Sequence, residues 1–198
     1  MQDPGTWYHV FNRGSRRQAT IFDRRDARLF LGLLEEAASK FEIEVHAYCL
    51  MGNHYHLLVH SPVSRPAAPM QWLISLYTRA FNERRGFDGP LFKGRYKALV
   101  IEEVRHLLAI SRYIHRNPIE AWLTDDFPEY EHSSYRSYIG HVVRPEWLTV
   151  DATLSQLGGY QKRYRALVED LDVTEKWLPG SGWAIEHHNL ESGLDLAS

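Results

Sequence analysis

The apolar positions of this chain switch between a spacing of two and a spacing of three to four, and the switches mark its elements. Trp7 to Phe11 is apolar on both faces and halts at Asn12-Arg13-Gly14, which predicts a buried strand. Ala27, Phe30, Leu31, Leu34, Ala38 and Phe41 then recur at helical steps behind Asp23, a residue suited to cap a helix. Glu42 to Leu50 alternates, Met51-Gly52-Asn53 supplies turn chemistry, and His54 to His60 resumes the alternation, predicting a β-hairpin. Three prolines make Ser61 to Pro69 a loop. Met70, Leu73, Ile74, Tyr77 and Phe81 outline a second helix ending near Gly86. After a glycine-punctuated basic loop, Tyr96 to Ile101 predicts a fourth strand, and Val104 to Arg116 a third helix stopped by Pro118. The order β-α-β-β-α-β followed by a helix is the split βαβ, ferredoxin-like pattern. The fold class expected is α+β, an antiparallel sheet carrying helices on one face.

Beyond Pro118 the chain is acidic and loop-rich through Glu131. Ser133-Ser134-Tyr135 opens a short element, and two short helices are expected near Ala152 to Leu157 and Tyr160 to Glu169, parted by Gly158-Gly159. The last residues lack periodicity. The organisation expected is a main domain over 1–118, an extension packed on it over 119–172, and a tail over 173–198.

Composition adds constraints. With 198 residues, 44% hydrophobic and 24% charged, the chain has the makeup of an ordinary globular protein. Folding at this length buries roughly 70% of the unfolded surface, so no disulfide or structural metal is required. The lone Cys49 cannot form an internal bridge. Without a signal peptide or a long apolar run, a cytoplasmic protein with no membrane partner is expected. The net charge of −2 hides an asymmetry: residues 1–118 carry 17 basic and 11 acidic side chains, residues 119–198 carry 6 and 14. A basic front suits a polyanion.

Candidate chemistry lies on the hairpin and the third helix. His54 and His56 alternate along one strand and therefore share a face, about 7 Å apart, within reach of one metal ion. Tyr113 and Asn117 lie one helical turn apart. A tyrosine can act as a covalent nucleophile if a cation or base assists loss of its proton. Taken separately, each pair also fits an ordinary surface or packed role. Arg13, Arg16 and Arg17 crowd the first strand's exit, and Arg84, Arg85, Lys93, Arg95 and Lys97 surround the loop before the fourth strand. Interleaved aromatics such as Phe11, Phe92 and Tyr96 fit the stacking and phosphate contacts of single-strand binding. Nothing matches a zinc finger, a basic zipper or a GxxxxGK[ST] phosphate loop.

Together, Tyr8-His9-Val10-Phe11-Asn12-Arg13-Gly14, the run Tyr48 to Val59 containing His54-Tyr55-His56, Gly89 to Lys97, and Tyr113-Ile114-His115-Arg116-Asn117-Pro118 resemble the REP-associated tyrosine transposases of the HUH endonuclease superfamily. The resemblance runs from about Trp7 to Leu171 and includes His132-Ser133-Ser134-Tyr135. Asn117 with Pro118 favours this branch over insertion-sequence relatives, which usually have Gln there, and Gly52 stands where the family more often has Pro. The resemblance implies a metal-dependent single-strand DNA transposase that cleaves and rejoins hairpin DNA through a 5′-phosphotyrosine on Tyr113. His54, His56 and the amide oxygen of Asn117 would hold Mg²⁺ or Mn²⁺. Asn12, Arg13, Arg16, Arg17, Arg84, Arg85, Lys93, Arg95, Lys97, Arg112 and Arg116 are the candidate DNA contacts, the last two also offsetting the negative helix end near Tyr113. His60 and His115 are read as solvated, and a monomer is expected. The alternatives are a metallohydrolase in which His54 and His56 activate water, and a hairpin-binding module without catalysis.

Overall fold

A computed structural model of the chain describes residues 5–62 and 66–169. The strands are β1 (Thr6–Arg13), β2 (Glu44–Leu50), β3 (His54–Ser61) and β4 (Lys97–Ile101). The helices are α1 (Arg24–Phe41), α2 (Ala67–Arg85), α3 (His106–Glu120), α4 (Tyr135–Tyr138), α5 (Asp151–Leu154) and α6 (Gln161–Glu169). The four strands form one antiparallel sheet in the order β2-β3-β1-β4, so β3 is inserted between β1 and β2, as the split pattern requires.

The two faces of the sheet differ in what covers them. Tyr55 points toward α1 and α2, its ring 4.9 Å from Phe30, which in turn meets Tyr77 at 5.1 Å. Alternation sends His54, His56, Leu58 and His60 to the opposite face, with Trp7, His9 and Phe11 of β1 registered beside them. There α3 lies across the sheet, Tyr113 meeting His9 and His56. Helices thus lie on both faces, α1 and α2 on the expected one and α3 on the other.

Several predicted boundaries move, α2 for one beginning at Ala67 inside the expected Ser61 to Pro69 loop. β1 continues through Asn12 and Arg13, which pair with Tyr55 and His54, so that the chain turns at Gly14. At Gly14 a Cβ would lie 2.0 Å from the Gln18 carbonyl oxygen, so only glycine fits that approach. α3 starts at His106 and runs through Pro118 to Glu120. Proline removes one helical donor, but here it falls in the last turn, where Ala121 N–H still reaches the Asn117 carbonyl at 2.9 Å and Leu123 N–H that of Pro118 at 2.9 Å. Tyr113 therefore stands two turns inside the helix, beyond the reach of its terminal negative charge.

The segment after α3 packs back on the sheet. Leu50 N–H donates to the His132 carbonyl (2.9 Å), Ser134 N–H to that of Tyr48 (3.0 Å) and Thr149 N–H to that of Val45 (2.9 Å), covering the outer edge of β2. His115 is buried between α3 and this segment rather than solvated. Its Nδ1 lies 2.7 Å from the Tyr164 hydroxyl, its Nε2 2.7 Å from Ser134 Oγ, and Ser134 Oγ accepts from Tyr48 N–H at 2.8 Å. One hydroxyl thereby joins β2 to α3. Residues 173–198, read as a tail, lie outside the described residues.

Burial lowers the His115 pKa from 6.5 to about 3, so the folded protein holds this imidazole neutral. Between those values the unfolded chain binds the extra proton. Stability therefore rises with pH and is lost as pH falls below 6.5, by about 2 kcal/mol at pH 5 from this residue. Urea melts at pH 7.5 and pH 5 should show that loss, and His115→Gln should reduce proton uptake on unfolding by about one; an unchanged pH slope in the variant would refute the assignment.

Candidate metal and nucleic-acid site

β3 begins with His54 and places His56 two residues on, their ring centroids 5.0 Å apart and nearly perpendicular. Asn53 fixes the first ring. Its Nδ2 donates to the Arg17 carbonyl at 3.3 Å, which turns its Oδ1 toward His54 Nδ1 at 2.7 Å. With the proton on Nδ1, His54 keeps the lone pair of Nε2. From α3, Asn117 donates Nδ2–H to the Tyr113 carbonyl at 2.9 Å, and its side chain hydrogen-bonds the His54 ring. The Tyr113 ring stands edge-on to His56 at 5.6 Å and to His9 at 5.8 Å. Residues from β1, β3 and α3 thus converge on one point.

Electrostatics keep both imidazoles neutral. Burial, with the Arg13 guanidinium adding to it, lowers His54 to about 4, against a smaller opposing effect of Asn117. His56 is held well below its ordinary value by burial and by the neighbouring His54 and His9. Neutral rings at pH 7 present lone pairs, which metal binding requires. Among the described residues no three His, Cys, Asp or Glu side chains gather as a ligand set. The donors at hand are two imidazoles and the Asn117 amide oxygen, a combination that fits a divalent cation with coordination positions left for phosphate and water. Cys49 is buried and its thiol pushed strongly up, so it supplies no thiolate.

A cavity of about 220 Å³ opens beside the histidine pair, lined also by Phe11, Asn12, Arg13, Lys93, Arg95 and Lys97. The loop before β4 reaches it because backbone bonds stitch it to the end of β1: Ser15 N–H to the Leu91 carbonyl (2.9 Å) and Lys93 N–H to that of Arg13 (2.8 Å). Asn12 Nδ2 adds a bond to the Gly94 carbonyl at 3.3 Å. Arg16 and Arg17 are exposed on the short helical turn Ser15–Arg17 that follows β1.

The remaining nominated cations are employed elsewhere. Arg85 binds Asp26 at 2.7 Å and Asp23 at 2.8 Å, and Arg84 also pairs with Asp26, a carboxylate with no exposure that needs this compensation at the start of α1. Arg112 Nε donates to the Leu167 carbonyl (2.8 Å) and Arg116 Nη1 to that of Val168 (2.5 Å), holding α6 against α3. Helical spacing alone did not say which partner these side chains face. His60 lies at the far end of β3, on Glu44 at 3.0 Å. One site residue was not singled out from the sequence: His9, whose Nε2 lies 3.1 Å from His56 Nδ1. Its signal was the same alternation that places Trp7, His9 and Phe11 on one face.

A family model described as IS200-like transposase matches residues 4–117. Among solved structures, a REP-associated tyrosine transposase bound to a REP hairpin aligns with a TM-score of 0.60 at 14% identity, over 77% of this chain and 90% of that one. That likeness is one of fold. A candidate transposase from Deinococcus radiodurans R1 aligns at 0.43 with 19% identity, over 60% and 88%, and the tRNA(His) guanylyltransferase of Saccharomyces cerevisiae at 0.44 with 9% identity, over 90% and 86%. No match emerges among curated protein sequences.

The two groups of cations should behave oppositely. Lys97→Ala should lower the salt dependence of single-stranded DNA binding by about one counterion, with little change in stability. Arg116→Ala should cost roughly 2 kcal/mol in urea melts and leave the salt slope intact. Equal salt slopes for both variants would contradict this division.

Proposed function

The chain belongs to the IS200-like transposase family, and on that premise we propose that it cleaves and rejoins single-stranded DNA at REP-like hairpins, with Tyr113 as nucleophile. The observation that supports this most is the meeting of Tyr113, His56, His54 and Asn117 beside a basic cavity.

His54, His56 and Asn117 would hold the cation, Mg²⁺ or Mn²⁺, which when bound grips and polarises the scissile phosphate. Asn12, Arg13, Lys93, Arg95 and Lys97 line the cavity on the side from which a phosphate backbone would approach, and the exposed Arg16 and Arg17 extend that surface. α3 presents Tyr113 to the phosphorus. Its Oη forms the new ester bond as the bond to the 3′-oxygen breaks; the phenol proton leaves to solvent and the 3′-oxygen takes one up. The products are a 5′-phosphotyrosine and a free 3′-OH. One phosphodiester replaces another, so the reverse step rejoins DNA without ATP.

Arg84, Arg85, Arg112 and Arg116 have no place in this contact set, being committed to Asp23, Asp26 and α6. In this reading residues 119–169 form an extension that braces α3, and the protein acts as a monomer in the cytoplasm. No helix among the described residues is long and apolar enough to cross a membrane.

Hairpin DNA carrying a 5′ single-stranded flank, incubated with Mn²⁺, should yield a protein-DNA adduct that survives a denaturing gel. Tyr113→Phe should abolish the adduct and the free 3′ end together, while hairpin affinity stays within about twofold. Cleavage by the phenylalanine variant would favour water activation by His54 and His56, and hairpin binding without cleavage by the unmodified chain would favour a non-catalytic module.

A further inference from the structure

His9 and His56 are both buried, at 0% and 2% exposure, with rings 5.3 Å apart and only 23° from parallel. The β1–β3 ladder fixes their backbones, since His9 pairs with Leu58 and Phe11 with His56, which sets the two histidines diagonally on one face. Phe11 at 5.1 Å and Tyr113 at 5.8 Å flank the His9 ring. Within that enclosure His9 Nε2 meets His56 Nδ1 at 3.1 Å.

A neutral imidazole has one N–H and one lone pair, so a contact between two ring nitrogens requires a single proton between them. Were His9 the donor, the proton of His56 would have to sit on Nε2, and that ring could not ligate a cation. With His56 Nδ1–H donating, His9 accepts at Nε2, carries its own proton on Nδ1, and leaves the lone pair of His56 Nε2 for coordination. His54 has the same arrangement, with Nδ1 facing Asn53 Oδ1 at 2.7 Å. Both rings then offer Nε2. His9 itself is turned onto His56, which agrees with the absence of a three-histidine ligand set among the described residues.

We propose that His9 is a positioning residue that fixes the tautomer and orientation of His56, and thereby sets how tightly the site holds its divalent cation. The inference rests on the metal reading of His54, His56 and Asn117 given above. It assigns His9 neither to the coordination sphere nor to the reacting atoms.

The test is titration of the full chain with Mn²⁺ alone, followed by electron paramagnetic resonance, alongside thermal melts and metal-free hairpin affinity. His9→Leu should weaken Mn²⁺ binding roughly 10- to 100-fold, in the range seen when outer-shell partners of metal ligands are removed. His9→Gln, whose amide oxygen can accept from His56 Nδ1–H, should recover most of that loss, and hairpin affinity without metal should move less than twofold in both. Wild-type binding of Mn²⁺ by His9→Leu would overturn the proposal. If His9→Leu does not fold, nitrogen-15 spectra of the unmodified protein decide: His56 protonated at Nδ1 is expected, and protonation at Nε2 would overturn it. Mn²⁺ binding unaffected by His56→Ala would instead refute the metal reading, a different signature from a failure at His9 alone.

Discussion

The pairing register of β1 with β3 is the constraint on which the site depends. Side chains of a strand alternate between faces, so a slip by one residue would send His54 and His56 under α1 and α2 and bring Tyr55 out in their place. Burial opposes that slip from both sides. Tyr55 is 1% exposed against Phe30 and Phe92, while Arg13, opposite His54, and His9, diagonal to His56, complete the face that α3 covers. The packing that stabilises the hairpin is thus also what aims its imidazoles.

A second constraint keeps α3 where those imidazoles need it. The helix reaches the sheet from the far end of the split motif, and the segment beyond it returns to hold it. Ser134 joins the β2 backbone to His115, and Arg112 and Arg116 bind carbonyls near the end of α6. Tyr113 and Asn117 lie on the side of α3 facing the sheet, whereas Arg112, His115 and Arg116 face the extension. One helix therefore carries two sets of polar residues on separate sides, one toward the imidazoles of β3 and one toward the brace.

Much of this was legible in the sequence because the apolar period changes cleanly. Alternation in His54 to His60 and helical spacing in Ala27 to Phe41 each admit one secondary structure, and Asp23 does cap α1, accepting from Arg25 N–H at 2.8 Å and Asp26 N–H at 2.9 Å. The misread boundaries involve residues whose usual meaning tertiary contacts override. Asn12 and Arg13 look like a turn but pair in the ladder, and Pro118 looks like a stop, yet the chain after it stays helical because Ala121 N–H and Leu123 N–H still close on the Asn117 and Pro118 carbonyls. Arg84, Arg85, Arg112 and Arg116, expected at DNA, also hold intramolecular partners that are mostly distant in the chain, Asp23 and Asp26 for the first two and the α6 carbonyls for the others. His9 stayed hidden for the same reason: a single histidine in an apolar strand acquires meaning only beside His56.

The account centres on one cation bound between the hairpin and α3, close to the Tyr113 side chain. The most direct measurement is anomalous diffraction from crystals of the Tyr113→Phe protein grown with hairpin DNA and Mn²⁺. The account predicts a single manganese peak within about 2–2.3 Å of His54 Nε2, His56 Nε2 and Asn117 Oδ1, with a phosphate of the single-stranded flank bound to it and facing the ring at position 113. Manganese bound elsewhere, or a phosphate held out of reach of that ring, would contradict it.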